Sequence, residues 1–210
     1  MTINEAIREG TERLVAAQVP DARYDAETLM EYVADMARFQ LLTKLDEELT
    51  GERCDRFFEC IEKRSHRVPL QHITGVQEFM GLPIHVDERV LCPRLDTETL
   101  AMEVDSIVDS IYRRGGLKDV PGNVVPLRHD IYFDREFRLL DMCTGSGCVA
   151  ISAASHAKTR GYDLNVTAVD ASADALTVAR ENAARIGVEI EFLHGDLYEP
   201  VSGKRFHVIT

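Results

Sequence analysis

The first third of the chain has apolar residues at helical spacing. Three groups of these residues each mark one face of a helix, and Pro20-Asp21 and Thr50-Gly51 separate the groups. The groups are Ile3, Ile7 and Leu14, then Leu29, Val33 and Met36, and then Phe57, Phe58 and Ile61. Because Pro69 is expected to end the helical stretch, we predict a small all-α domain over residues 1–68.

The pattern changes after Pro69. Two short runs, Gln77–Met80 and Pro83–Asp87, flank Gly81, which is typical of a β-hairpin. We therefore predict a hairpin linker over residues 69–95. A helix with an apolar stripe from Leu100 to Ile111 should follow it. Residues 115–136 mix Gly, Pro, Asn and charged residues, which indicates a long loop or insertion.

From residue 137 short apolar strands alternate with helices. The predicted strands are Phe137–Leu140, Leu164–Val169, Val188–Phe192 and Phe206–Ile209. The predicted helices run over Cys148–Lys158 and from an N-cap at Ser172 to Gly187. This alternation predicts an α/β fold with a parallel, doubly wound sheet in residues 96–210. Because the sequence ends inside the fourth predicted strand, we expect the sheet to be incomplete and the protein to be longer.

Composition narrows the class of protein. A hydrophobic content of 45% with 29% charged residues is typical of a soluble globular chain. The formal net charge of -12 disfavours a broad nucleic-acid-binding face, so a protein or small-molecule partner is expected. No apolar run is long enough for a membrane span, and the N-terminus lacks the apolar core of a signal peptide. We therefore expect a cytoplasmic protein without a membrane partner.

The cysteine and histidine positions do not suggest a metal centre. The five cysteines form no CxxC pair, and the histidines lack the spacing of metal ligands. We expect free structural thiols in a reducing compartment, and no bound metal.

The strongest chemical signal is the turn Asp141–Gly147, between the first predicted strand of the sheet and its helix. Its small residues allow a ligand to approach the backbone closely, at the edge where such sheets bind nucleotides. Asp170 ends the next strand, where a carboxylate can accept hydrogen bonds from ribose hydroxyls. Together these features predict a site for a nucleoside-containing cofactor.

Two cofactor classes remain open from the residues themselves. The run Gly145–Ala150 fits the GxGxxA pattern of dinucleotide-binding folds, which suggests NAD. Asp141 instead places a carboxylate before the turn, which suits the ammonium group of S-adenosylmethionine better than a pyrophosphate. Asp196-Leu197 follows the third strand, where the acid could accept from an adenine amino group and Leu197 could cover the ring.

Several segments resemble the release-factor glutamine methyltransferases. They are Pro69–Gly75, Glu78–Leu82, Val90–Glu98 and Asp141–Gly147. The third is similar to the PRPxTE segment of that family, and the fourth is similar to its DLGTGSG loop. The likeness runs from about residue 22 to the end of the chain, and the hairpin and PRPxTE segments are its most specific part.

The resemblance implies a Rossmann-like methyltransferase domain that follows a helical substrate-recognition domain and a hairpin linker. It implies that the cofactor is S-adenosylmethionine. Its contacts would be Asp141, Cys143, Thr144, Gly145, Ser146, Gly147, Asp170, Asp196 and Leu197. Pro93 and Arg94 are carried over as substrate residues, although Leu95 and Asp96 replace the usual Pro and Glu. Cys143 replaces the first glycine of the loop and adds a side chain where the cofactor's methionine part would lie.

The implied reaction is N5-methylation of the glutamine in the Gly-Gly-Gln motif of peptide-chain release factors. The family's Asn-Pro-Pro-Tyr motif is expected just after Thr210, so we assign no catalytic residue and expect no turnover from these residues alone. The alternatives are a methyltransferase for ribosomal-protein glutamine or a nucleic-acid base amine, an NAD-binding oxidoreductase, and a non-catalytic binding module.

Overall fold

Five helices form residues 1–75, the first of two structural units in the computed structural model. They are α1 (Ile3–Ala16), α2 (Ala22–Ala34), α3 (Arg38–Leu42), α4 (Gly51–Ser65) and α5 (Leu70–Thr74). The second unit is Val76–Thr210, of which the structure describes residues 76–114 and 137–210.

The three predicted helices of the first unit are confirmed as α1, α2 and α4, although Met36, predicted to lie on the second helix, follows the end of α2. A capping box starts α1, because the Thr2 hydroxyl accepts from the Glu5 backbone N–H and the Glu5 carboxylate accepts from the Thr2 N–H. The apolar faces of the three helices pack together around side chains that include Leu14, Leu29 and Phe57, all fully buried. Burial of these faces, rather than local propensity, stabilises helices of this length.

The prediction that helical structure ends at Pro69 is wrong. Pro69 is the N-cap of α5, and Gly75 ends that helix with a φ of 79°. A proline lacks the N–H that the first helical turn leaves unpaired anyway, so it can precede a helix as readily as it stops one. α3 was also not predicted.

The hairpin prediction is confirmed in the second unit. β1 (Val76–Phe79) pairs antiparallel with β2 (Leu82–His85) across a turn at Met80 and Gly81, which have φ values of 52° and 74°. Positive φ at both positions is the type of turn that matches the twist of a hairpin. The predicted helix after the hairpin is α6 (Leu95–Arg114), while the loop predicted over residues 115–136 lies outside the described residues.

The remaining elements build the sheet. They are β3 (Phe137–Met142), α7 (Cys148–Arg160), β4 (Leu164–Asp170), α8 (Ala173–Ile186), β5 (Glu191–His194), a 3₁₀ turn at Glu199–Val201 and β6 (Val208–Ile209). The strand order is β5-β4-β3-β6 and every pair is parallel, which confirms the predicted α/β class. The chain moves outward from β3 to β5 and returns to the other side of β3. In sheets of this kind, ligands bind at the carboxyl ends of the strands where the order reverses.

The third strand of the sheet is displaced from its predicted position. Val188–Phe192 was expected, but β5 begins at Glu191. The backbone N–H of Val188 donates to the Ala183 carbonyl at the end of α8, so this part of the chain completes the helix cap instead of pairing with β4. The predicted N-cap of α8 is confirmed, since the Ser172 hydroxyl accepts from the Ala175 N–H.

Candidate functional site

The turn after β3 is held in a tight backbone conformation. Cys143, Gly145 and Gly147 have φ values of 55°, 55° and 81°. The Thr144 N–H donates to the Val169 carbonyl, and the Gly147 N–H donates to the Thr144 carbonyl. The turn is therefore tied to the end of β4 and folded on itself, with its backbone at the carboxyl edge of the sheet.

The two glycines of this turn lack a side chain for different steric reasons. A Cβ at Gly147 would lie 2.9 Å from Ile151 Cδ1 and 3.1 Å from Ala179 Cβ, so α7 and α8 leave no room for a side chain. A Cβ at Gly145 would meet no atom within 4 Å. Gly145 thus leaves open space next to its backbone, as a close-fitting ligand requires.

Asp141 lies at the carboxyl end of β3 and is 4% exposed. Its carboxylate accepts hydrogen bonds from the hydroxyls of Thr144 at 2.5 Å and Thr210 at 2.9 Å. Burial raises the pKa of the Asp141 carboxyl above its usual range, and the two hydroxyl donors oppose part of that shift. A buried carboxylate favours the approach of a cation.

Asp170, at the end of β4, joins the turn to the second strand. One of its oxygens accepts from the Gly145 N–H at 2.8 Å and the other accepts from the Ser172 N–H at 2.9 Å. Each carboxylate oxygen can accept a further hydrogen bond, so Asp170 retains capacity for hydroxyl donors of a ligand.

An open cleft of about 590 Å³ brings most of the predicted residues together. Asp141, Cys143–Ser146 and Asp170 line one part of it, and the segment Arg89–Arg94 lines another. Pro93 and Arg94 therefore border the same cleft as the turn. Gly147, Asp196 and Leu197 are not among the lining residues; the last two follow β5, and Leu197 is 55% exposed with a φ of 43°.

Cys143 carries a free thiol. Its left-handed conformation is one that glycine adopts readily and other residues only at some cost, and its side chain is exposed at the cleft. Cys92 and Cys148 also line the cleft. Burial raises the pKa of both thiols, to about 11 for Cys148, so both are protonated and poor nucleophiles at neutral pH.

Sequence reasoning missed several residues of this site. Arg89, Thr97, Leu100 and Thr210 also line the cleft. Arg89 holds the Asp87 carboxylate through two side-chain nitrogens, and this pairing lowers the pKa of Asp87 to about 2. The spacing of two residues between Asp87 and Arg89 is the signal that could have indicated the pair.

Across positions 1–114 and 137–210 no three His, Cys, Asp or Glu side chains are grouped so that they could bind a metal ion. Within the same two ranges, the helices are too short or too polar to cross a membrane.

Two family descriptions match the chain. The "PrmC N-terminal domain" matches residues 5–75, and the "Methyltransferase small domain" matches residues 127–210. The first match covers the helical unit, and the second contains the sheet, the turn after β3 and the two aspartates of the cleft.

Curated relatives align along the whole chain. The "Release factor glutamine methyltransferase" of Moorella thermoacetica is 34% identical over 213 residues, covering 100% of this chain and 65% of the relative. The protein of the same name from Koribacter versatilis is 34% identical, with 100% and 66% covered. That of Escherichia coli is 30% identical, with 97% and 63% covered.

The chain spans 63% to 66% of the length of these relatives. The similarity extends through the helical unit, the hairpin and the sheet, so it is not confined to the turn that many nucleotide-binding folds share. By sequence, the chain carries a PrmC N-terminal domain and a methyltransferase small domain, and it is similar along its whole length to proteins named release factor glutamine methyltransferase.

Proposed function

We propose that the cleft binds S-adenosylmethionine and that the protein transfers the methyl group to a release factor. The acceptor in this proposal is the side-chain nitrogen of the glutamine in the Gly-Gly-Gln motif. The observation that carries the proposal is the similarity of the whole chain to proteins named release factor glutamine methyltransferase.

The residues of the cleft fit the proposed cofactor. Asp170 has acceptor capacity for two ribose hydroxyls, and the open space beside Gly145 admits a ligand against the backbone. The buried carboxylate of Asp141 attracts the ammonium group of the methionine part. When bound, the cofactor supplies an electrophilic methyl group on a sulfonium. Asp196 and Leu197 are proposed for the adenine, from their place after β5.

The rim of the cleft favours a macromolecular substrate. Leu91 and Leu95 are 81% and 79% exposed, and Arg94 lies exposed between them in the sequence. Exposed leucines beside a cleft are typical of surfaces that contact another protein. Pro93 and Arg94 are therefore proposed to contact the substrate rather than the cofactor.

The chemistry to be catalysed is an in-line displacement at the methyl carbon. An amide nitrogen is a weak nucleophile because its lone pair is delocalised into the carbonyl. The protein therefore has to hold the amide in line with the methyl group and to accept hydrogen bonds from its N–H groups. The described residues supply the cofactor side of this arrangement.

A methylation assay with the complete natural protein tests the proposal. The protein, S-adenosylmethionine and a purified release factor are incubated together, and the peptide that contains Gly-Gly-Gln is examined by mass spectrometry. We expect one added methyl group on the glutamine, and none when that glutamine is replaced by alanine. Methylation of a ribosomal protein or a base amine, with the release factor untouched, would contradict the substrate.

A binding assay tests the cofactor separately. S-adenosylhomocysteine and NAD are each titrated into the protein by calorimetry. We expect S-adenosylhomocysteine to bind and NAD not to compete with it, and the reverse preference would establish the oxidoreductase alternative.

A further inference from the structure

Asn182 on α8 is buried, with 1% of its surface exposed, and its side-chain amide makes three hydrogen bonds to backbone groups. Its Oδ1 accepts from the His85 N–H at 2.8 Å, and its Nδ2 donates to the His85 carbonyl at 2.9 Å and to the Ser146 carbonyl at 3.0 Å. One side chain therefore contacts two backbone segments that are distant in the sequence.

One of these segments lines the cleft, and the other leads along the chain to a segment that lines it. Ser146 belongs to the turn after β3, and fixing its carbonyl also fixes the peptide plane that carries the Gly147 N–H. His85 is the last residue of β2, and the chain continues from it to Asp87 and to Arg89, which lines the cleft. The Asn182 amide pairs with both polar groups of His85 as a neighbouring strand would.

Helix α8 contacts the turn at a second point on the same face. Ala179, three residues before Asn182, is the residue that a Cβ on Gly147 would meet at 3.1 Å. The turn thus packs against α8 at Ala179 and is hydrogen-bonded to α8 at Asn182. Asn182 is not among the residues that line the cleft. Its effect on cofactor binding therefore has to pass through Ser146 and His85.

We propose that Asn182 is a positioning residue that holds the turn after β3 and the Arg89–Arg94 segment in the relative arrangement that the cofactor requires. This inference rests on the proposed cofactor site. The amide is suited to the task because it has both a donor and an acceptor end, and it pairs with the buried Ser146 carbonyl and with the two partly buried backbone groups of His85.

The test compares Asn182→Asp with Val178→Ala. Asn182→Asp retains the size and the acceptor but removes both donors and places a carboxylate against two carbonyl oxygens. Val178 is one turn earlier on α8, fully buried in apolar surroundings, so Val178→Ala weakens the same helix by a cavity alone. The full chain is used for both variants, at a temperature at which both are folded.

Two measurements are made on each variant. We expect Asn182→Asp to raise the dissociation constant of S-adenosylhomocysteine by about ten-fold or more, and Val178→Ala to change it by less than about two-fold. Hydrogen exchange at the amides of His85 and of Gly145–Gly147 should accelerate in Asn182→Asp beyond the change in global stability, and in Val178→Ala only in line with it.

Affinity and exchange in Asn182→Asp that match those in Val178→Ala would overturn the proposal. If Asn182→Asp does not fold, Asn182→Ser, which shortens the side chain without adding charge, provides the same comparison. Failure of the wild-type chain to bind S-adenosylhomocysteine would contradict the cofactor site instead, while the exchange measurement would still decide whether Asn182 holds the two segments.

Discussion

The helical unit and the sheet unit differ in how they use buried polar side chains. Among residues 1–75, all of which the structure describes, Asp25 is the one buried polar side chain, and Arg64 pairs with it at 2.6 Å. In the described part of the second unit, four of the seven buried polar residues belong to the end of β3 and the turn after it or bond to that turn, namely Asp141, Thr144, Ser146 and Asn182.

Buried polar side chains thus have two different roles in this protein. The Asp25–Arg64 pair joins two opposite charges between α2 and α4. The polar groups of the second unit fix a backbone turn that borders open space. Buried polar side chains at the sheet edge therefore position the backbone for a ligand, while the one in the helical unit contributes to packing. Substitutions in the two units should accordingly affect ligand affinity and stability separately.

Removing the buried ion pair should give the largest effect on stability. We expect Asp25→Ala to destabilise the helical unit by about 3 kcal/mol, because the largely buried Arg64 guanidinium loses its carboxylate partner and keeps only its hydrogen bond to the Val68 carbonyl. Native-state hydrogen exchange at amides of α1, α2 and α4 measures this change. Affinity for S-adenosylhomocysteine should stay within about two-fold of the wild type.

An exposed ion pair provides the matched control. Glu9 and Arg13 retain 41% and 48% of their side-chain exposure, so Glu9→Ala should cost less than about 0.5 kcal/mol. A large loss of cofactor affinity in Asp25→Ala, with none in Glu9→Ala, would contradict the separation between the units.

The two glycines of the turn should respond in opposite ways. Gly147→Ala combines a φ of 81° with contacts shorter than van der Waals separation, and we expect it to destabilise the second unit by about 2 kcal/mol. Gly145→Ala has only the backbone cost, about 1 kcal/mol, but its methyl group enters the cleft and should lower cofactor affinity by about ten-fold. Thermal unfolding and calorimetric titration distinguish them, and equal changes in both properties for both variants would contradict this assignment.

Replacing the buried carboxylate tests the charge at the site. Asp141→Asn keeps the shape of the side chain and removes its charge. Burial raises the pKa of the Asp141 carboxyl, which means that the charged form is disfavoured there, so the melting temperature should not fall. Affinity for S-adenosylhomocysteine should fall by about ten-fold, because the ammonium loses its counter-charge. Methylthioadenosine lacks that ammonium, so its affinity should not change, and an equal loss for both ligands would exclude the charge role of Asp141.

A smaller effect than that of Asp25 is expected for Asp87, whose pair with Arg89 is more exposed. Because the folded pKa of Asp87 is lowered to about 2 from 3.8, its contribution is present above pH 3.8 and is lost as pH falls toward 2. With both side chains about one third exposed, we expect about 1 kcal/mol. Stability is measured between pH 5 and pH 2 for the wild type and Asp87→Asn. Identical slopes would show that this pair contributes nothing.

Periodicity and turn chemistry were sufficient for most elements. The helices α1, α2 and α4, the hairpin around Gly81 and the alternation of strands and helices after residue 137 were predicted from short-range patterns. The errors lie where a local signal has two meanings. Pro69 can end or precede a helix, and Val188 can begin a strand or complete the cap of α8.

The candidate site was predictable where its residues are contiguous. The turn Asp141–Gly147 and the strand-end Asp170 were identified because they follow strands at fixed positions. Asn182, Arg89 and Thr210 were not, since nothing in their local sequence indicates which backbone segment or cleft they reach. Their contacts join positions up to 97 residues apart, as for Asn182 and His85.

The sequence by itself determined the class of the fold, the position of the ligand-binding turn and the resemblance to a methyltransferase family. Each of these depends on residues that are close together along the chain. Only the tertiary structure decided that Asp141 is buried and that a side chain has room at Gly145 but not at Gly147. It also decided that the Arg89–Arg94 segment lines the same cleft as the turn after β3. These properties depend on solvent exclusion and on packing between elements, which local propensity does not specify.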